Sequence, residues 1–172
     1  MYARWLIPVG VGAAAVTQIA YAAQYLTVEQ AQRAAFPDAT GFVAVQLPAD
    51  VTALGGPAGW SPHAWQARKG DHALGWFFAD AVIGKSELIN YSLALDMHGA
   101  VIALEVLEYR ESHGGEVRLA PWRRQFVGKT ARDPVTLNDD IKNISGATLS
   151  CRHLTEGVQR LLKLYATALA KA

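Results

Sequence analysis

The sequence predicts a single α+β domain: an antiparallel or mixed sheet with helices packed on it and a long helix at the C-terminal end. Three observations carry this. Leu88 to Leu95 and Ala100 to Tyr109 are strand-like runs flanking Asp96-Met-His-Gly99, a turn in which Gly99 can supply positive φ. In the second run Val101, Ala103 and Leu107 alternate with Ile102, Leu104 and Val106, so both strand faces are apolar and both need covering. A cover follows after residue 150, where Leu154, Val158, Leu161, Leu162, Tyr165 and Leu169 recur at helical spacing on one face.

Taken in order, the chain opens with one basic residue, Arg4, and an uncharged apolar run from Trp5 to Ala23. Residues 1–22 read as a secretory signal peptide, with Ala20 and Ala22 giving the A-x-A pattern for cleavage before Ala23. The alternative is an uncleaved anchor. The run is close to the minimum span of a bilayer, although Pro8, Thr17 and Gln18 weaken it. In either case residues 23–172 form the folded domain, and it is expected to be periplasmic or otherwise extracytoplasmic. Thr27-Val-Glu-Gln30 has the form of a capping box, so a short helix is expected to run to Phe36, where Pro37 stops it. Gly41 to Leu47 is strand-like, and Pro48 to Pro62, rich in Gly and Pro, is a loop. Ala64 to Arg68 and His72 to Phe78 are further strands joined through Lys69-Gly70-Asp71. Pro121 to Val127 is expected as a short helix with proline in its first turn.

The composition excludes several classes. With 51% hydrophobic and 18% charged residues, and 16 basic against 15 acidic side chains, the chain is neither disordered nor a collagen or coiled coil. A net charge of +1 without a basic stripe argues against nucleic acid as a partner. The single cysteine, Cys151, cannot form an intramolecular bridge. Beside a helix start it would be an activated thiol, and buried in a core it would be inert. The histidines show no metal-ligand spacing and no haem-attachment pattern, so no metal site is expected.

The chemistry concentrates in residues 139–153, DDIKNISGATLSCRH, just before the long helix. Small hydroxyl residues and a glycine crowd a helix start, where unpaired N–H groups and the positive end of the macrodipole favour an anion near Thr148 and Ser150. The same residues would also serve as plain N-caps with no ligand. Ser145, His113 and Asp140 supply the residue types of a hydrolase triad, but Ile-Ser-Gly-Ala is not the G-x-S-x-G elbow.

Ser145-Gly-Ala-Thr148 followed by Leu149-Ser150 resembles the flavin-attachment motif of the FMN-binding domain family, the soluble domain found in one component of the sodium-translocating NADH:quinone reductase and in one component of the Rnf electron-transport complex. Glu111-Ser-His-Gly114 resembles the family's Glu-Thr-Pro-Gly loop near the flavin, and residues 122–129 (WRRQFVGK) its segment ending in Phe-x-Gly-Lys. With Gly-Lys-Ser-Glu at 84–87, the likeness spans most of residues 23–172. One position departs from the family pattern: Lys142 stands where an acidic residue is usual, three places before the serine, with Asp139 and Asp140 upstream.

The resemblance implies an electron-transport flavoprotein with FMN as cofactor, covalently held by a phosphoester to Thr148. It also implies a partner, the flavin transferase that installs FMN from FAD with magnesium. Ser145, Gly146, Ala147 and Ser150 would lie around the cofactor, Glu111, His113 and Gly114 would approach the ring or form a solvated turn, Trp122, four residues before Phe126, would stack on it or pack in the core, and Lys129 would counter its charge or stay in solvent. No His or carboxylate is near Thr148 in sequence to take its proton, which suits a threonine modified by another enzyme. The implied role is a membrane-associated carrier between redox partners, without substrate turnover of its own. From another class, motivated by Lys142, comes a secreted binding or sensory module of the same fold that holds FMN reversibly or not at all.

Overall fold

The structure, a computed structural model, describes residues 23–48 and 61–170. The expected signal or anchor and most of the Pro48–Pro62 loop lie outside them. Six strands, β1 (Ala23–Gln24), β2 (Gly41–Val45), β3 (His63–Lys69), β4 (His72–Ile83), β5 (Leu88–Asp96) and β6 (Val101–Tyr109), form one antiparallel sheet in the order β1-β6-β5-β4-β3-β2. Strands β2 to β6 form a meander, and the short β1 pairs with β6 at the opposite edge.

Helix α1 (Val28–Ala35) begins at the expected capping box: the Thr27 hydroxyl accepts from the Gln30 N–H, and the Gln30 side chain accepts from the Thr27 N–H. It crosses one face of the sheet, where Ala31 and Phe36 pack on Ala67, Phe77, Ala79, Ala94 and Leu107. The long helix α3 (Thr148–Leu164) covers the other face, where Leu154, Val158, Leu161 and Leu162 meet Trp76, Phe78, Val82, Tyr91 and Leu93. Full burial of side chains such as Phe78 and Leu93 stabilises by about 1.5–3 kcal/mol each, which is what holds helix to sheet.

Five expectations are corrected. The alternation read in β6 is interrupted by register shifts at Ile102 and Leu107: Ala94 and Leu95 face Ala103 and Val101, and Asn90 and Tyr91 face Glu108 and Val106. Each extra residue reverses which parity points to α3, so Val101, Leu104, Val106 and Tyr109 share one core despite mixed spacing. Strand β4 continues past Phe78 to Ile83, and β2 ends at Val45 rather than Leu47. The Pro121–Val127 helix is one turn, α2 (Ala120–Arg123), followed by a 3-10 turn at Arg124–Phe126. The C-terminal helix leaves α geometry after Leu164 and finishes as a π turn through Leu169. Among the described residues no helix is long and apolar enough to cross a membrane.

Candidate functional site

Antiparallel pairing brings three segments to one end of the sheet. Ile83 pairs with Leu88, and Ile89 with Tyr109, so the β4–β5 turn (84–87) and the chain leaving β6 emerge side by side. The Glu111 carboxylate accepts from the Ser86 N–H at 2.5 Å and the Glu87 N–H at 2.9 Å, so the turn wraps around it. Gly84 leaves that carboxylate its place, because a Cβ there would lie 2.7 Å from Glu111 Oε1 and displace it. Partial burial pushes the Glu111 carboxyl up, but the backbone donors of the turn outweigh it and hold the group below its ordinary value.

The start of α3 is the third segment. His153, in its second turn, hydrogen-bonds through Nδ1 to the Gly84 carbonyl at 2.9 Å. Buried Tyr109 donates to the His113 carbonyl at 2.5 Å and shares a 2.9 Å hydrogen bond with Ser150. Gly114 sits against both oxygens at φ +88°, where a Cβ would approach them to 2.8 and 2.9 Å, so only glycine fits. The result is a groove of two connected lobes. One, of about 330 Å³, is lined by Lys85 and Ser86, by Glu111 to His113 and by Gly146 to Ser150. The other, of about 470 Å³, shares Glu111, Ser112, His113 and Gly146 and extends past Tyr109 and Gly114 to Tyr25, Arg118 and Leu119.

Thr148 is the first residue of α3, delivered by a turn in which the Ala147 N–H bonds the Ile144 carbonyl at 3.0 Å and Gly146 takes φ +86°. Among the described residues no side chain caps this helix. Ser150 is buried on Tyr109, and the Thr148 hydroxyl accepts from Asn143 Nδ2 at 3.0 Å. Plain N-capping is therefore not what these hydroxyls do, and the first N–H groups of α3 have no side-chain acceptor in the first lobe.

Of the residues singled out from the sequence, Gly146, Ala147, Thr148, Ser150, Glu111, His113 and Gly114 line the groove. Ser145 is exposed in the turn just before it. The structure sets Trp122 and Lys129 elsewhere. Trp122 is 4% exposed in the core, edge-on to Phe126 at 5.1 Å, with its indole N–H on the Lys142 carbonyl at 2.8 Å. Lys129 pairs with Asp140 at 2.8 Å. Asp140 also accepts from the Val135 and Thr136 N–H groups, holding Val135 at φ +42°. Asp140 and His113 thus have other partners, the latter Ser112, and no triad forms with Ser145. Cys151 is buried, and burial pushes its thiol up, which is the inert alternative. Among the described residues no cluster of His, Cys, Asp and Glu is arranged to hold a metal ion. Sequence reasoning missed Tyr25, Asn143 and Leu119, whose relation to the site arises only when distant segments meet.

The model of the FMN-binding domain family matches residues 84–163, from the β4–β5 turn through the loop after β6 into α3. The chain carries an FMN-binding domain. No curated protein shows recognisable similarity along the sequence. FMN is the cofactor of this FMN-binding domain, and the groove fits it: uncapped helix N–H groups suit a phosphate, and the two lobes together have the size of a small-molecule site. Thr148, Gly146 and Ala147 would hold the phosphate end, with Glu111, Ser112 and His113 along the middle.

Proposed function

We propose that this chain is an extracytoplasmic electron-transfer flavoprotein whose FMN is esterified through its phosphate to Thr148. The observation that carries this is the placement of Thr148 at the uncapped start of α3, inside the groove, with its hydroxyl on an amide and not on a base. A threonine so placed is a substrate for modification. In that step Thr148 Oγ1 bonds to the flavin-side phosphorus of FAD, the pyrophosphate P–O bond breaks, AMP leaves, and a base of the flavin transferase takes the hydroxyl proton. The phosphodiester keeps one negative charge, which the N-terminal dipole of α3 stabilises.

Bound FMN supplies the redox chemistry, and the protein holds it, shields it in part from water and sets its potential. A covalent tether retains the cofactor without high affinity, which suits a groove open along one side in a dilute compartment. Electrons would pass between membrane-associated partners. Replacing Thr148 with Ala should leave a folded domain from which denaturation and gel filtration recover no flavin, whereas the native chain keeps its yellow colour. Flavin still attached to denatured Thr148→Ala protein contradicts the ester.

One observation favours the reversible reading. Lys142 is exposed and its backbone is fixed by Gln125 and Trp122, while Asp140 is committed to Lys129 and the 135–136 amides, so Asp140 does not take the place of the usual acidic residue. If the transferase requires that acid, FMN is held without a bond, and denaturing the loaded protein releases all of it.

A further inference from the structure

The second lobe differs in character from the first. The first presents Lys85, Ser86, Thr148 and helix amides, a polar surface matched to phosphate and ribityl oxygens. The second ends in two large side chains left open, Tyr25 at 40% and Leu119 at 47% exposure. Arg118 lies over the Tyr25 ring, its guanidinium carbon 5.2 Å from the centroid, and so fixes the orientation of the phenol. Among the described residues lining this lobe, Arg118 alone carries a permanent positive charge. The other charges facing it are Glu111, whose negative charge the 84–87 amides hold, and Glu116, with His113 at the junction. Tyr25 follows β1 and lies outside the matched segment 84–163.

We propose that Tyr25 and Arg118 are the tuning pair for the flavin ring: the phenol stacks on the isoalloxazine in the second lobe, and the guanidinium favours the reduced ring. The proposal rests on FMN occupying the groove, covalently or not. Uptake of two electrons and one proton leaves the ring negatively charged, and a cation lining the same lobe stabilises that state over the neutral oxidised one. An electron-rich phenol against the ring quenches its emission, and an amphipathic aromatic is suited to a half-open wall.

The test uses the full chain loaded with FMN, by the transferase or by direct addition, and titrated with dithionite against a reference dye. Arg118→Gln is expected to lower the equilibrium constant for reduction about tenfold, a shift of about 30 mV to more negative potential, and Arg118→Lys to restore most of it. Tyr25→Leu is expected to brighten the native protein's flavin emission, with emission after denaturation unchanged at equal load. Both side chains are exposed, so neither variant threatens the fold. Wild-type protein that holds flavin, with variants matching it in potential and native emission, overturns the tuning pair and leaves the flavoprotein reading intact. Wild-type protein that takes up no FMN by either route overturns both.

Discussion

Gly114 shows how tightly single residues fix the site. It carries φ +88°, and its missing Cβ leaves the space where the Tyr109 hydroxyl meets Ser150. That hydroxyl in turn holds the His113 carbonyl, so the loop after β6 and the first turn of α3 are joined through one phenol. Burial pushes this phenol up, with the Ser150 hydrogen bond opposing, so it stays a neutral donor at ordinary pH. Gly114→Ala must leave the left-handed region or push the two oxygens apart, at a cost of about 1–3 kcal/mol. Chemical denaturation of the apo-domain should show a loss in that range together with weaker FMN retention; an unchanged midpoint would contradict the role assigned to this glycine.

Among the elements, the 84–87 turn depends on Glu111. The carboxyl is held below its ordinary value by the amides of the turn, so the brace is complete above the unfolded value of about 4.3 and is lost as pH falls through the lowered folded value. The Ser86 and Glu87 amide resonances should move together with a midpoint below about 4.3, and a midpoint above it would show that these amides do not hold the carboxylate. Elements with a local cause were legible in the sequence: the capping box of α1, the β5–β6 hairpin, and the 3.6-residue pattern of α3. The motif Ser145 to Ser150 was legible as a helix start, and its neighbourhood with Glu111 to Gly114 only through resemblance. What sequence did not show depends on tertiary pairing. The bulges at Ile102 and Leu107 are set by the partner strand β5. The last residues of β4, Ala79 to Ile83, read weakly because Asp80 interrupts the apolar run. Trp122 and Phe126 sit four apart as a stacking pair would, yet the core claims both.

At the scale of the whole molecule, Asp80 explains how the helix bearing Thr148 is registered on the sheet. The buried Asp80 carboxylate forms an ion pair with Arg160 of α3 and accepts from Tyr91 of β5 at 2.8 Å. Burial, with the Asp80 charge adding, pushes the Tyr91 phenol well up, so it remains a donor. Arg160→Met removes the cation beside a buried carboxylate that keeps its Tyr91 hydrogen bond, an expected loss of about 3–5 kcal/mol in chemical denaturation. A loss below about 1 kcal/mol would show that packing alone sets the register of α3. This cross-sheet anchor, the Glu111 brace and the Tyr109 bridge together hold the groove at one end of the meander. The proposed function turns on FMN bonded to Thr148 in this groove. Intact mass of the chain, co-expressed with an active flavin transferase and exported through its own N-terminal segment, tests this most directly. The expected result is a gain of one FMN less one water, mapping by peptide fragmentation to Thr148. An unmodified mass, beside a control domain that the same transferase does modify, would contradict it.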